Sequence, residues 1–92
     1  MEHRIERYCG KTVYRWGHML HRSDGPAIIR DNGDLFWWVN DVRHREDGPA
    51  VWLPSIRKAK YFLNHKEYSF DDYCRELNLD RETQVEILLE YG

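Results

Sequence analysis

His21-Arg22-Ser23-Asp24-Gly25-Pro26-Ala27 and His44-Arg45-Glu46-Asp47-Gly48-Pro49-Ala50 are two copies of one seven-residue phrase, identical at six positions and 23 residues apart. Self-similarity at a fixed period marks a repeat architecture. The phrase is turn chemistry: Asp can bond its own following backbone, Gly accepts positive φ, and Pro fixes φ and donates no hydrogen bond. Ala and the apolar run behind it then begin a strand. The phrase predicts a corner between two short strands, built twice. Within it the Arg guanidinium can pair with the Asp carboxylate while His bonds a backbone group. His21, Arg22, Asp24, Gly25 and Pro26, with their counterparts His44, Arg45, Asp47, Gly48 and Pro49, are therefore expected to be structural.

Strand signals fill the chain between the corners. Arg4 to Trp16 reads as a hairpin turning at Gly10-Lys11, and Gly17-His18 turns the chain again before Met19-Leu20. Ala27–Arg30 and Leu35–Val39 flank an Asn32-Gly33 pair, a strong hairpin signal. Asn40-Asp41 turns the chain toward the second corner. Ala50–Leu53 is a strand, and the basic loop Pro54–Lys58 leads to Tyr61-Phe62-Leu63.

A third, decayed copy follows. With one residue inserted, Tyr14, Trp37 and Tyr61 superpose, as do Gly17, Asn40 and Asn64. Asp72-Tyr73 stands where Gly-Pro should come, which frees the backbone to coil into a helix. Ser69 can cap that helix, and Phe70, Tyr73, Cys74 and Leu77 fall on one helical stripe. Asp80 can cap a second helix, whose apolar face is expected at Val85, Leu88 and Leu89, with Ile87 and Tyr91 flanking it. The two helices are expected to close the open end of the sheet, since an exposed edge invites pairing with another chain.

The 92 residues allow one domain (1–92), divided into a hairpin-repeat sheet over 1–68 and a helical cap over 69–92. Residues 1–70 carry twelve Lys and Arg against nine Asp and Glu; residues 71–92 carry two against seven. A mildly basic body thus precedes an acidic tail. No apolar run is long enough to span a membrane, and Met1-Glu2-His3-Arg4 leads into no apolar stretch, so neither an anchor nor a secretory signal is expected. Cys9 and Cys74 are far apart and form no C-x-x-C, which favours reduced thiols in the cytoplasm.

Alternation of side chains across a strand places Tyr14, Trp37 and Tyr61 in one column and Arg15, Trp38 and Phe62 on the opposite face. If one column packs under the helices, the other is left for recognition. The expected partner-binding residues are Arg15, Trp38 and Phe62, with Arg57, Lys58 and Lys60 at their margin. The two His-x-x-Asp pairs supply no closed four-ligand set, so no metal is expected. No nucleophile signature, phosphate-cradling glycine loop or H-E-x-x-H occurs, so neither an enzyme nor a cofactor is expected. Arg57-Lys58-Ala59-Lys60 beside Tyr61-Phe62 could hold phosphates and stack bases, which keeps nucleotide or nucleic-acid binding as the alternative to a protein partner.

The doubled His-Arg-x-Asp-Gly-Pro-Ala phrase, with Asn-Gly or Asn-Asp turns and Trp/Tyr strands between, resembles a repeat of small proteins from tailed bacteriophages and related bacterial elements. These are distant relatives of the MORN-type hairpin repeat. The resemblance covers about residues 12–69 and implies a meandering antiparallel sheet of repeated hairpins. By analogy it also implies a phage protein acting in the host cytoplasm by binding and blocking a host component, such as a defence factor. The sequence therefore predicts an α+β fold, with six to eight short strands capped by two short C-terminal helices. It predicts a non-enzymatic interaction module with a host protein as partner. Self-association through the sheet edge or the apolar face stays open.

Overall fold

The computed structural model describes residues 2–92 and shows an α+β fold of ten short antiparallel strands followed by two helices. The strands are β1 (His3–Tyr8), β2 (Lys11–Trp16), β3 (Met19–Leu20), β4 (Ile28–Arg30), β5 (Leu35–Phe36), β6 (Trp38–Val39), β7 (Val42–Arg43), β8 (Val51–Leu53), β9 (Lys58–Leu63) and β10 (Lys66–Tyr68). The main sheet runs in the order β1-β2-β4-β5-β8-β9-β10; β3 hangs from β2, and β6 with β7 forms a separate hairpin.

The strand count exceeds the expected six to eight because each long repeat strand changes partner half way. Lys11–Val13 pairs with β4, whereas Arg15 and Trp16 pair with β3. In the next unit the same change splits the strand into β5 and β6. It happens at equivalent residues, where the Tyr14 amide donates to Ala27 O (2.7 Å) and the Trp37 amide to Ala50 O (2.8 Å). Each corner thus begins its strand with a fully buried Ala, against which the preceding unit's aromatic residue is pinned.

The turns fall close to where the sequence puts them. The first is at Cys9-Gly10, one residue before the expected Gly10-Lys11, because Lys11 already pairs with Tyr8 as the first residue of β2. Cys9-Gly10, Asn40-Asp41 and Asn64-His65 all hold positive φ at both residues, the I′ geometry that matches strand twist. At Asn32-Gly33 only Gly33 (φ 98°) is left-handed, and the Asn32 side chain accepts the Asp34 amide. In the third unit a 3-10 turn, Pro54–Ile56, replaces that loop.

Helix α1 (Phe70–Glu76) starts where Ser69 accepts the Asp72 amide at 3.1 Å, and α2 (Arg81–Tyr91) where Asp80 accepts that of Thr83 at 2.8 Å. Each cap satisfies a helix-start donor and is worth about 1 kcal/mol. The helices cover the face of the sheet carrying Trp52, Tyr61 and Leu63, and add Tyr73, Ile87 and Tyr91 to one core. A smaller cluster of Ala50, Val51 and Phe62, backed by Phe36 and Leu53, lies on the other face.

Helix α2 docks on a different side from the one its pattern predicts. Ile87 and Tyr91 are buried, whereas Val85, Leu88 and Leu89 are exposed. The aromatic side chain decides the rotation. Tyr91 lies edge-on to Trp52 (5.1 Å, 77°), and its hydroxyl accepts from Arg45 Nη1 at 3.1 Å. A buried aromatic with its polar tip satisfied outweighs two leucines left in water.

Candidate functional site

Each corner is a closed set of contacts. Arg22 lies over the Tyr14 ring at 4.0 Å, bonds Asp24 (2.9 Å) and donates to Pro26 O. Arg45 repeats this over Trp37 at 3.8 Å, bonds Asp47 (2.8 Å) and donates to Pro49 O. His21 Nδ1 accepts the Asn40 amide and His44 Nδ1 the Asn64 amide, each tying a corner to the turn of the next unit. These bonds assign the neutral ring with its proton on Nε2; in His44 that atom faces Glu46 at 2.8 Å. All ten corner residues sit in these two closed sets. The glycines serve a purpose beyond the expected positive φ: Gly25 is not left-handed at all. A Cβ there would meet the Arg22 guanidinium at 3.0 Å, and one at Gly48 would meet that of Arg45 at 2.9 Å. The corner uses glycine because the arginine lies flat against it.

In the third unit, where the Arg is Ser69, helix α1 takes its place. Phe70 and Tyr73 pack on Tyr61 at 5.2 and 4.9 Å. The Tyr73 hydroxyl faces Arg45 O and Gly48 O and accepts the Gly48 amide at 3.2 Å. A tyrosine from the cap thereby closes the backbone of the second corner. Burial pushes the phenols of Tyr61 and Tyr73 up to about 12. The unfolded phenols ionise near pH 10, so the folded state holds these protons more tightly. The resulting stability is complete below pH 10 and is lost as pH rises toward 12. Melting midpoints are expected to fall steeply over this range, with tyrosinate absorbance at 295 nm rising together with unfolding. A midpoint unchanged up to pH 12 would contradict the burial of these hydroxyls.

The expected recognition column does not form. Phe62 is buried (6% exposed) in the smaller cluster, so it is corrected from a contact residue to a core residue. The cause is the change of partner at Trp37. It sends β6 and β7 off the main sheet and lays the Arg43 guanidinium between Phe62 (4.7 Å) and Trp38 (5.5 Å). Trp38 is half-buried beside His65, and its indole N–H finds no acceptor among the described residues. Arg15 is engaged by Glu6 (2.6 Å), Tyr8 and His18 O. Of the basic margin, Arg57 donates to Gly92 O at the end of α2, Lys58 is exposed and Lys60 is half-buried. A groove of about 580 Å³ runs between the corners, but the arginines that wall it are already paired and Arg45 covers its Trp37 floor. Cys74 is buried, and burial pushes its thiol up, away from the thiolate form a nucleophile needs.

The surface that the sequence misplaced is on α2. At roughly 100° per residue the helix carries three stripes. Ile87 and Tyr91 face the core, Glu82, Glu86 and Glu90 form a line on one flank, and Val85, Leu88 and Leu89 form an apolar strip on the other. Leu89 is 80% exposed. Proximity of Leu89 to Glu82 and Glu86 around the helix puts the acidic line beside the apolar strip. Only the outward rotation set by Tyr91 distinguishes this strip from a core face. No protein-family model, curated protein or solved structure matches this chain.

Proposed function

We propose that the protein is a non-enzymatic protein-binding module whose docking element is α2. The observation that supports this reading is the exposed Val85-Leu88-Leu89 strip beside the acidic line of Glu82, Glu86 and Glu90. Helices read in this way lay an apolar face into a groove of their partner. Charge complementarity defines that partner: a protein with an apolar groove and basic side chains along one rim. The resemblance of the repeats to phage-type proteins makes a bacterial host protein, a defence factor among them, the expected bearer of such a groove. Of the three basic residues that the nucleic-acid alternative invokes, Arg57 is engaged by Gly92 O beyond the end of α2 and Lys60 is half-buried, so that alternative rests on Lys58 alone.

Leu89→Lys tests the proposal, because it removes the apolar contact, opposes a basic rim and suits the last turn of a helix. A surface change of this kind shifts stability by no more than about 0.5 kcal/mol. A partner captured from nuclease-treated bacterial lysate should bind the variant at least about thirtyfold more weakly, the scale of a lost hot spot. Equal binding by wild type and variant, with unchanged melting, would sink the reading. So would capture of a nucleotide in place of a protein, with an affinity that collapses as salt rises.

A further inference from the structure

Strand β1 ends the main sheet on one side, and no strand among the described residues pairs with its outer edge. The Gly17 amide donates to Glu2 O, and antiparallel pairs alternate between bonded and non-bonded. The backbone groups of Arg4, Glu6 and Tyr8 therefore face β2, while those of His3, Ile5 and Arg7 face outward. The neighbour opposite Ile5 agrees: Tyr14 turns its amide away from β1, to Ala27 O. The far edge is different, since β10 has only three residues and passes through Ser69 straight into α1. One long open edge remains among the described residues, with Ile5 at its middle and 67% exposed.

We infer that β1 pairs antiparallel with β1 of a second copy, about a two-fold axis through Ile5. The charges on the strand select this register. Centred on Ile5, all three outward-facing residues find partners: Ile5 faces Ile5 and His3 faces Arg7. Arg4 then stands opposite Glu6, at the non-bonded positions where side chains approach most closely. Shifting the axis to Arg4 or to Glu6 sets that residue against its own copy, and like charges directly opposite are destabilising. Natural edges are commonly defended by charge. Here the signs alternate about an apolar centre and so favour one pairing.

The side chains are free to make it. Arg15 occupies Oε1 of Glu6 and leaves Oε2 open. Arg4 uses Nη2 on Gly17 O, and its Nε is buried, so Nη1, which makes no hydrogen bond among the described residues, is the atom left for Glu6 of the second copy. Arg7 is already neutralised by Asp31 at 2.7 Å and adds no repulsion. A two-fold contact uses the same edge on both copies and saturates it, so the assembly stops at two.

Sedimentation equilibrium from micromolar to millimolar protein tests the inference. The expected mass rises from 11.2 kDa to twice that value. Ile5→Pro removes only an outward amide and leaves the β1–β2 ladder intact, so it should stay monomeric and folded where the wild type is dimeric. Arg4→Glu and Glu6→Arg should each be monomeric alone and should dimerise when mixed, because only the mixture pairs opposite charges. A wild type that stays monomeric throughout would overturn the inference. So would a dimer indifferent to Ile5→Pro, and so would one abolished instead by Leu89→Lys.

Discussion

Tyr73→Ala is expected to cost about 3–5 kcal/mol, the range for removing a large aromatic from a core. The ring is 0% exposed and packs tilted against Tyr61 at 4.9 Å, so its loss opens a cavity that the short helix α1 cannot fill by shifting. The same change strips the hydroxyl from the Gly48 amide, leaving a buried donor without a partner. Domains of this size lose about 4–8 °C of melting midpoint per kcal/mol, so the midpoint should fall by at least about 12 °C. Tyr73→Phe keeps the volume and loses the hydroxyl, and should cost about 1–3 kcal/mol, the penalty of the orphaned amide. Circular dichroism melts of the two variants separate packing from hydrogen bonding. Equal losses would mean that the hydroxyl, not the ring, holds the cap in place.

Arg45→Ala is expected to cost about 3 kcal/mol, and Arg22→Ala about half as much, although the two occupy equivalent places. Both stack on an aromatic ring and both bond the corner Asp and the Pro carbonyl. Arg45 alone is roofed by α2: its side chain is 12% exposed, against 24% for Arg22, and Nη1 also donates to Tyr91. Removing it uncovers Trp37, unpairs the Tyr91 hydroxyl and loosens α2. Burial strengthens cation–π contacts, from about 0.5–1 kcal/mol when exposed to about 2 when desolvated. Lysine should not rescue either site, because it cannot lie flat and bond in two directions. Urea midpoints of the four variants give the ranking. If Arg22→Ala proved the costlier, α2 would not be what distinguishes the second corner from the first.

The parts of this structure that were legible in the sequence are those set within a few residues. The corner phrase, the Asn40-Asp41 turn, and the Ser69 and Asp80 caps each depend on neighbours in the chain. The decay of the third copy was legible too, because the missing Gly-Pro removes a helix breaker. Two features were not. Burial of Phe62 depends on the strand changing partner at Trp37, and period-two alternation carries no record of such a bend. The rotation of α2 depends on Tyr91 reaching Trp52 and Arg45, residues far away in sequence. A helix with apolar residues on two sides offers periodicity no preference between them. The candidate site sits on the side that the pattern alone assigns to the core.

The partner change at Tyr14 and Trp37 has a metric consequence. Each unit, 23 residues long and then 24, inserts one pair of strands into the main sheet, as β4 with β5 and then β8 with β9. At about 4.8 Å between neighbouring strands, every unit advances the structure by roughly 10 Å. The edge strand β1 stands at one end of this count, and α2, seated on β8 and β9, stands near the other. The units between them act as a ruler. Adding or deleting one whole corner-to-corner copy would move the two ends apart or together by a fixed step, with their own chemistry unchanged.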